Sequence, residues 1–133
     1  MEVLIYDDNR DDAKQLTYWL YKEFGEELRL ALCHSFSEFK ELDLSIVDIG
    51  IIDHHLDIFE GAEITSTRII EIFKERKIDI PLIIISGDDS RVMINGRPVY
   101  FKKDLRKIPE VVKKAYKLHR LEKISKRIDK NVN

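Results

Sequence analysis

Four apolar runs, separated by stretches with helical spacing, constrain this chain more than any other feature. They are "EVLIY" (2–6), "LRLALC" (28–33), "SIVDIGII" (45–52) and "IDIPLIIIS" (78–86). Each is far below the roughly 20 apolar residues a membrane span needs. The last two are almost wholly apolar, which predicts strands buried on both faces, as in a parallel sheet. Between the first two runs, Ala13, Leu16, Trp19, Leu20 and Phe24 recur at helical spacing. Asn9 is placed to cap that helix and Gly25 to stop it. Ser35 or Ser37 caps a short helix through Phe39 and Leu42. Gly61 is expected to start a third helix, with Ile64, Ile69, Ile70, Ile72 and Phe73 inward. Strand and helix alternating over short loops predict an α/β, doubly wound parallel sheet.

The pattern breaks after residue 86. "RVMINGRPVYF" carries Asn95-Gly96 between two apolar runs, and both residues tolerate the positive φ of a tight hairpin. The expectation is a hairpin or irregular loop in place of a fourth helix, with at most one helical turn at 88–93. "VYF" (99–101) is a fifth strand. A final helix begins near Ile108 or Pro109, with Val111, Val112, Ala115 and Leu118 inward. Leu121, Ile124 and Ile128 prolong its apolar spacing past the expected end of the sheet.

At 133 residues the chain fits one domain. Its single cysteine, Cys33, excludes an internal disulfide framework and suits a reducing cytoplasm. No signal-peptide pattern opens "MEVLIYDDN". Net charge is −2, unevenly spread: residues 102–133 hold 12 Lys/Arg against 4 Asp/Glu, the rest 11 against 21. That basic arm reads as a solvated helix face favoured by the helix dipole rather than as a nucleic-acid interface.

In doubly wound sheets ligands bind beyond the carboxyl ends of the strands. The residues there are Asp7 and Asp8 after the first strand, Asp53 after the third and Ser86 after the fourth. Carboxylates converging at one edge raise one another's pKa, and a divalent cation removes that cost. Hard oxygen donors point to Mg²⁺, with Mn²⁺ as the alternative. Capping of the first helix falls to Asn9 and does not account for Asp53.

"LIYDDN", "VDIGIIDHHL" with Gly61 eight residues after Asp53, "IIIS" and "YFKK", in this order, resemble the receiver domain of bacterial two-component response regulators. The resemblance covers about residues 1–120, leaving 121–133 as a helical extension or linker too short for an output domain. It implies a flavodoxin-like sheet of order 2-1-3-4-5. It implies Asp53 as phosphoacceptor, and Asp7, Asp8, Asp53 and the backbone carbonyl of His55 around Mg²⁺. It further implies Ser86 as the switch hydroxyl, Tyr100 as the switch aromatic, and Lys103 as the lysine of the site. Lys103 is preferred to Lys102, which alternates to the other strand face. The implied activity is self-phosphorylation and self-dephosphorylation only. The implied partners are a histidine kinase or phosphotransfer protein and a downstream protein; the apolar spacing of Leu121, Ile124 and Ile128 separately reads as a frayed end, a contact with a second copy through the C-terminal helix, or a linker.

The chain departs from that pattern at several points. Asp57 stands where the family has proline and is expected to be a solvated loop acid. His54 and His55 replace more usual residues, and His55 shares a side with Asp53 on an extended chain. Asp104 follows Lys103 in place of proline, and the fourth helix is lost. Two rival readings follow. One is a pseudo-receiver that binds partners without phosphorylation. The other is a Mn²⁺-dependent phosphoesterase of the Asp-His-His type, suggested by "IIDHHL".

Overall fold

The computed structural model describes residues 1–88 and 92–132. The helical turn expected at 88–93 falls partly outside those residues. Strands β1 (Glu2–Tyr6), β2 (Arg29–Cys33), β3 (Ile49–Asp53), β6 (Leu82–Ser86) and β8 (Arg97–Phe101) form the expected parallel sheet. Their spatial order is β2-β1-β3-β6-β8, the expected 2-1-3-4-5 arrangement. A sixth strand, β7 (Met93–Ile94), closes the edge antiparallel to β8. The Asn95-Gly96 turn joins them, with φ of 50° and 75°. The hairpin expectation therefore holds for the physical reason given: both turn residues adopt left-handed backbone.

Strand alternation divides the core into two layers. On one face Leu4, Tyr6, Ile52, Leu82, Ile84 and Val99 pack beneath α2 (Phe36–Lys40) and α3 (Ser66–Glu75). On the other, Val3, Ile5, Ile51, Ile83 and Ile85 pack beneath α1 (Arg10–Phe24) and α4 (Ile108–Val132). β3 and β6 are buried at every position, as their unbroken apolar runs require. Each isoleucine so placed contributes about 1.5–3 kcal/mol relative to exposure.

Two local differences matter for the site. The third run is strand only from Ile49; Leu44–Ile46 form a 3₁₀ turn whose N-cap is Asp43. More consequential, Gly61 does not start a helix. β4 (His55–Phe59) and β5 (Ala62–Thr65) form an antiparallel hairpin, and α3 starts only at Ser66. Glu60 and Gly61 make its two-residue turn with φ of 51° and 80°, the paired left-handed geometry that matches strand twist. Ile64 thus enters the core from a strand.

α4 runs unbroken over 25 residues. Leu118, expected inward, is 61% exposed, because Ile108, Val112 and Ala115 already form the stripe against the sheet. Leu118, Leu121, Ile124 and Ile128 instead form an exposed row. No described helix is long and apolar enough to cross a membrane.

Candidate functional site

The acids meet at the carboxyl edge of the sheet because β1 and β3 are adjacent and in register. Asp7 immediately follows β1, its N–H held by the carbonyl of Cys33 at 3.0 Å. Asp53 is the last residue of β3, and the N–H of His54 continues the ladder to Ile85 at 2.9 Å. Alternation from Ile5 and Ile51 sends both carboxylates to the α1/α4 side. Asp7 is fully buried, Asp53 is 4% exposed, and Asp8 is exposed. One oxygen from each of Asp7, Asp8 and Asp53 lies within 4.8 Å of the others.

Lys102 supplies the counter-charge. Its Nζ donates to Asp7 Oδ1 at 3.1 Å, Asp12 Oδ2 at 2.9 Å and Asp53 Oδ2 at 3.1 Å. Lys103, the residue preferred from alternation, is exposed, with its ammonium 5.6 Å from the Phe101 ring centre. The reversal has a backbone cause. Tyr100 lies on the α1/α4 face, and Lys102, two residues on, continues to that face as the 3₁₀ turn begins, so it shares the side of Asp7 and Asp53.

Burial pushes the Asp53 carboxyl up to about 7, with the Asp7 charge adding to it and Lys102 opposing. Burial opposes the charged form of Lys102. The hydrogen bonds it donates to Asp12 and Asp7 and the charges of Asp53 and Asp7 outweigh it, so the ammonium is held above the ordinary lysine range.

Asp7 Oδ2 lies 2.9 Å from Lys102 Nζ, yet it is buried and accepts no hydrogen bond. This oxygen is ion-paired rather than orphaned; the fit to a hard divalent cation such as Mg²⁺ rests on three carboxylates that bring one oxygen each within 4.8 Å of the others.

Ser86 ends β6 and is 2% exposed; its Oγ accepts from the Asp88 N–H at 3.1 Å. Tyr100 pairs with Ile85 across the ladder and is half-buried against the α1/α4 layer. The two histidines turn away from the acid cluster. His54 is buried and shares a 2.7 Å hydrogen bond between Nδ1 and Ser66 Oγ. His55 does not lean over Asp53; its Nδ1 meets Glu63 Oε1 across the hairpin at 3.0 Å. Neither joins the candidate cation cluster found among the described residues.

Asp57 is not a solvated loop acid. It accepts from the Tyr6 hydroxyl at 2.6 Å and from the Phe36 N–H at 3.0 Å. A register irregularity between His55 and Ile58 accompanies this inward turn. Burial, then the hydrogen bond to Asp57, raises the Tyr6 phenol far above its ordinary value. Tyr6→Phe is expected to cost about 1.5–3 kcal/mol, the range for a hydrogen bond to a charged group. Urea denaturation measures it; a loss under about 0.5 kcal/mol, the floor for ordinary hydrogen bonds, would deny the contact a structural role.

Sequence reasoning missed Asp12 and the Tyr6–Asp57 pair. Asp12 had a signal: three residues after the Asn9 cap, it lies in the helix turn nearest the strand ends.

No protein-family model matches the chain, and no curated protein matches its sequence. Solved structures do match. The N-terminal domain of a response regulator/sensory box/GGDEF three-domain protein from Carboxydothermus hydrogenoformans aligns with a TM-score of 0.73 at 14% identity. That alignment covers 92% of this chain and 98% of the other. A response regulator receiver domain protein from Methanospirillum hungatei gives 0.70 at 17%, over 91% and 97%. One from Clostridium thermocellum gives 0.70 at 18%, over 90% and 97%. The chain has the receiver-domain fold. Against the resemblance, the receiver sheet order is kept, a short strand β7 makes an edge hairpin with the fifth parallel strand β8, and a second hairpin follows Asp53.

Proposed function

We propose that this is a signalling domain that accepts a phosphoryl group on Asp53 from a phosphohistidine on a kinase or phosphotransfer protein. The observation that carries the reading is the meeting of Asp7, Asp8 and Asp53 with the Lys102 ammonium at one sheet edge. Asp7, Asp8 and Asp53 would hold Mg²⁺, joined by the backbone carbonyl of His55. That ion, when bound, supplies neutralising charge to the phosphoryl oxygens.

The chain's own residues do the rest. Asp53 presents a carboxylate oxygen in line with the donor. Its new O–P bond forms as the donor P–N bond breaks, and the electron pair returns to the imidazole. Charge spreads over the equatorial oxygens, so positioned cations do most of the work. Lys102 stands next to the accepting oxygen. The Ser86 hydroxyl is free to exchange its contact with the Asp88 N–H for one phosphoryl oxygen. Such an exchange is the local event that would bias Tyr100 and the β8–α4 surface toward a partner.

Incubation with acetyl phosphate and Mg²⁺ tests the reading. Intact mass is expected to rise by one phosphoryl group in the wild type and not in Asp53→Asn. Millimolar Mg²⁺ is expected to raise the melting temperature by linkage, an effect that Asp8→Ala removes. No adduct on a folded protein would favour a binding module that works without phosphorylation. Phosphodiester hydrolysis with Mn²⁺, lost on changing His54, would favour the phosphoesterase.

A further inference from the structure

All three N–H bonds of the Lys102 ammonium are directed to carboxylates: Asp7 at 3.1 Å, Asp12 at 2.9 Å and Asp53 at 3.1 Å. Two of these partners sit at strand ends and belong to the oxygen cluster suited to a cation. Asp12 does not. It rides on the first turn of α1, where the Asn9 side chain accepts from the N–H groups of Asp11 and Asp12 at 3.0 and 3.1 Å. The cap fixes that turn, and the turn fixes the Asp12 backbone. Lys102 opens a 3₁₀ turn at the end of a flexible four-carbon stem, so the position of its ammonium is set by these three contacts.

A cation on Asp7 and Asp53 draws on the same two carboxylates that hold the ammonium. Phosphorylation then converts one Asp53 oxygen to an ester. Of the three anchors, only Asp12 is left unclaimed by either event. We propose that Asp12 is a positioning residue that holds Lys102 with one N–H aimed at the reacting edge of Asp53. The proposal rests on Asp53 being the phosphoacceptor. Asp12 touches neither the phosphoryl group nor the cation; it acts through Lys102. Its side chain is 26% exposed, so water screens its charge and leaves its geometric role dominant.

The full-length chain carrying Asp12→Ala or Asp12→Asn tests this, with acetyl phosphate as the probe. At saturating Mg²⁺, Asp12→Ala is expected to slow Asp53 phosphorylation on the order of tenfold to a hundredfold, the scale of a misplaced catalytic group. The Mg²⁺ concentration that half-shifts the melting temperature is expected not to rise. Asp12→Asn keeps an acceptor oxygen at the same reach and is expected to recover most of the rate. A merely structural role would lower stability in both variants and leave the rate of the folded fraction unchanged. An unchanged or faster rate in Asp12→Ala overturns the proposal.

A second readout needs no phosphate. In protein labelled with ¹⁵N-lysine, the Lys102 ammonium protons are expected to exchange slowly in the wild type and quickly in Asp12→Ala. If that difference appears while the wild type takes no phosphate, the phosphoacceptor reading has failed and the anchoring has not. If phosphorylation proceeds and the exchange rates match, the anchoring has failed alone.

Discussion

Lys102→Met is expected to destabilise the metal-free protein by about 3 kcal/mol at pH 8, the scale for removing one partner of a buried ion pair. The Lys102 side chain is 13% exposed and those of Asp7 and Asp53 are 1% and 6% exposed, so water replaces little of the lost charge. The loss should shrink at pH 6, where a proton on the carboxylate pair substitutes for the ammonium. Millimolar Mg²⁺ should stabilise the variant more than the wild type, since without the ammonium the negative charge of Asp7 and Asp53 is left for the cation to neutralise. Urea denaturation with and without Mg²⁺ at the two pH values measures all three effects. A variant as stable as the wild type at pH 8 would mean that the ammonium does not hold these acids together.

The metal-free wild type should become less stable as pH rises from about 4 to about 7. The folded Asp53 carboxyl lies at about 7, above its ordinary value of 3.8. Across that window the folded protein keeps a proton that the unfolded chain has released. Stability therefore falls with rising pH and levels off above the folded value. A shift of about three units corresponds to about 4 kcal/mol at 1.36 kcal/mol per unit. Other carboxylates add their own slopes, so the contribution is read as the difference from Asp53→Asn. Saturating Mg²⁺ should flatten the curve by favouring the ionised form. A wild type and Asp53→Asn with parallel pH profiles would show that the site does not bind this proton.

Much of this site was legible because its determinants are local. Asp7, Asp8, Asp53 and Ser86 each end an apolar run, and such a run stops where a strand leaves the core. Asn95-Gly96 announced a hairpin because both residues adopt left-handed backbone at little cost. Glu60-Gly61 makes the same turn and was misread, since glutamate advertises no such preference and glycine also fits a helix start. The choice between Lys102 and Lys103 depended on which face of the sheet carries the acids, and that is set by how β1, β3, β6 and β8 pair rather than within β8 itself. Asp57 was read as solvated because its partners, Tyr6 and Phe36, lie 51 and 21 residues away.

Apolar runs and their spacing, by themselves, determined a parallel α/β sheet with acids at its carboxyl edge, since burial period and turn chemistry act over a few residues. Only the tertiary structure decided which lysine neutralises those acids, that it also donates to Asp12, and that Asp57 ties the hairpin after Asp53 to β1 and α2. Those outcomes depend on how separate elements pack, and a hydrogen bond responds to shifts of a few tenths of an ångström, far finer than any periodicity in the chain encodes.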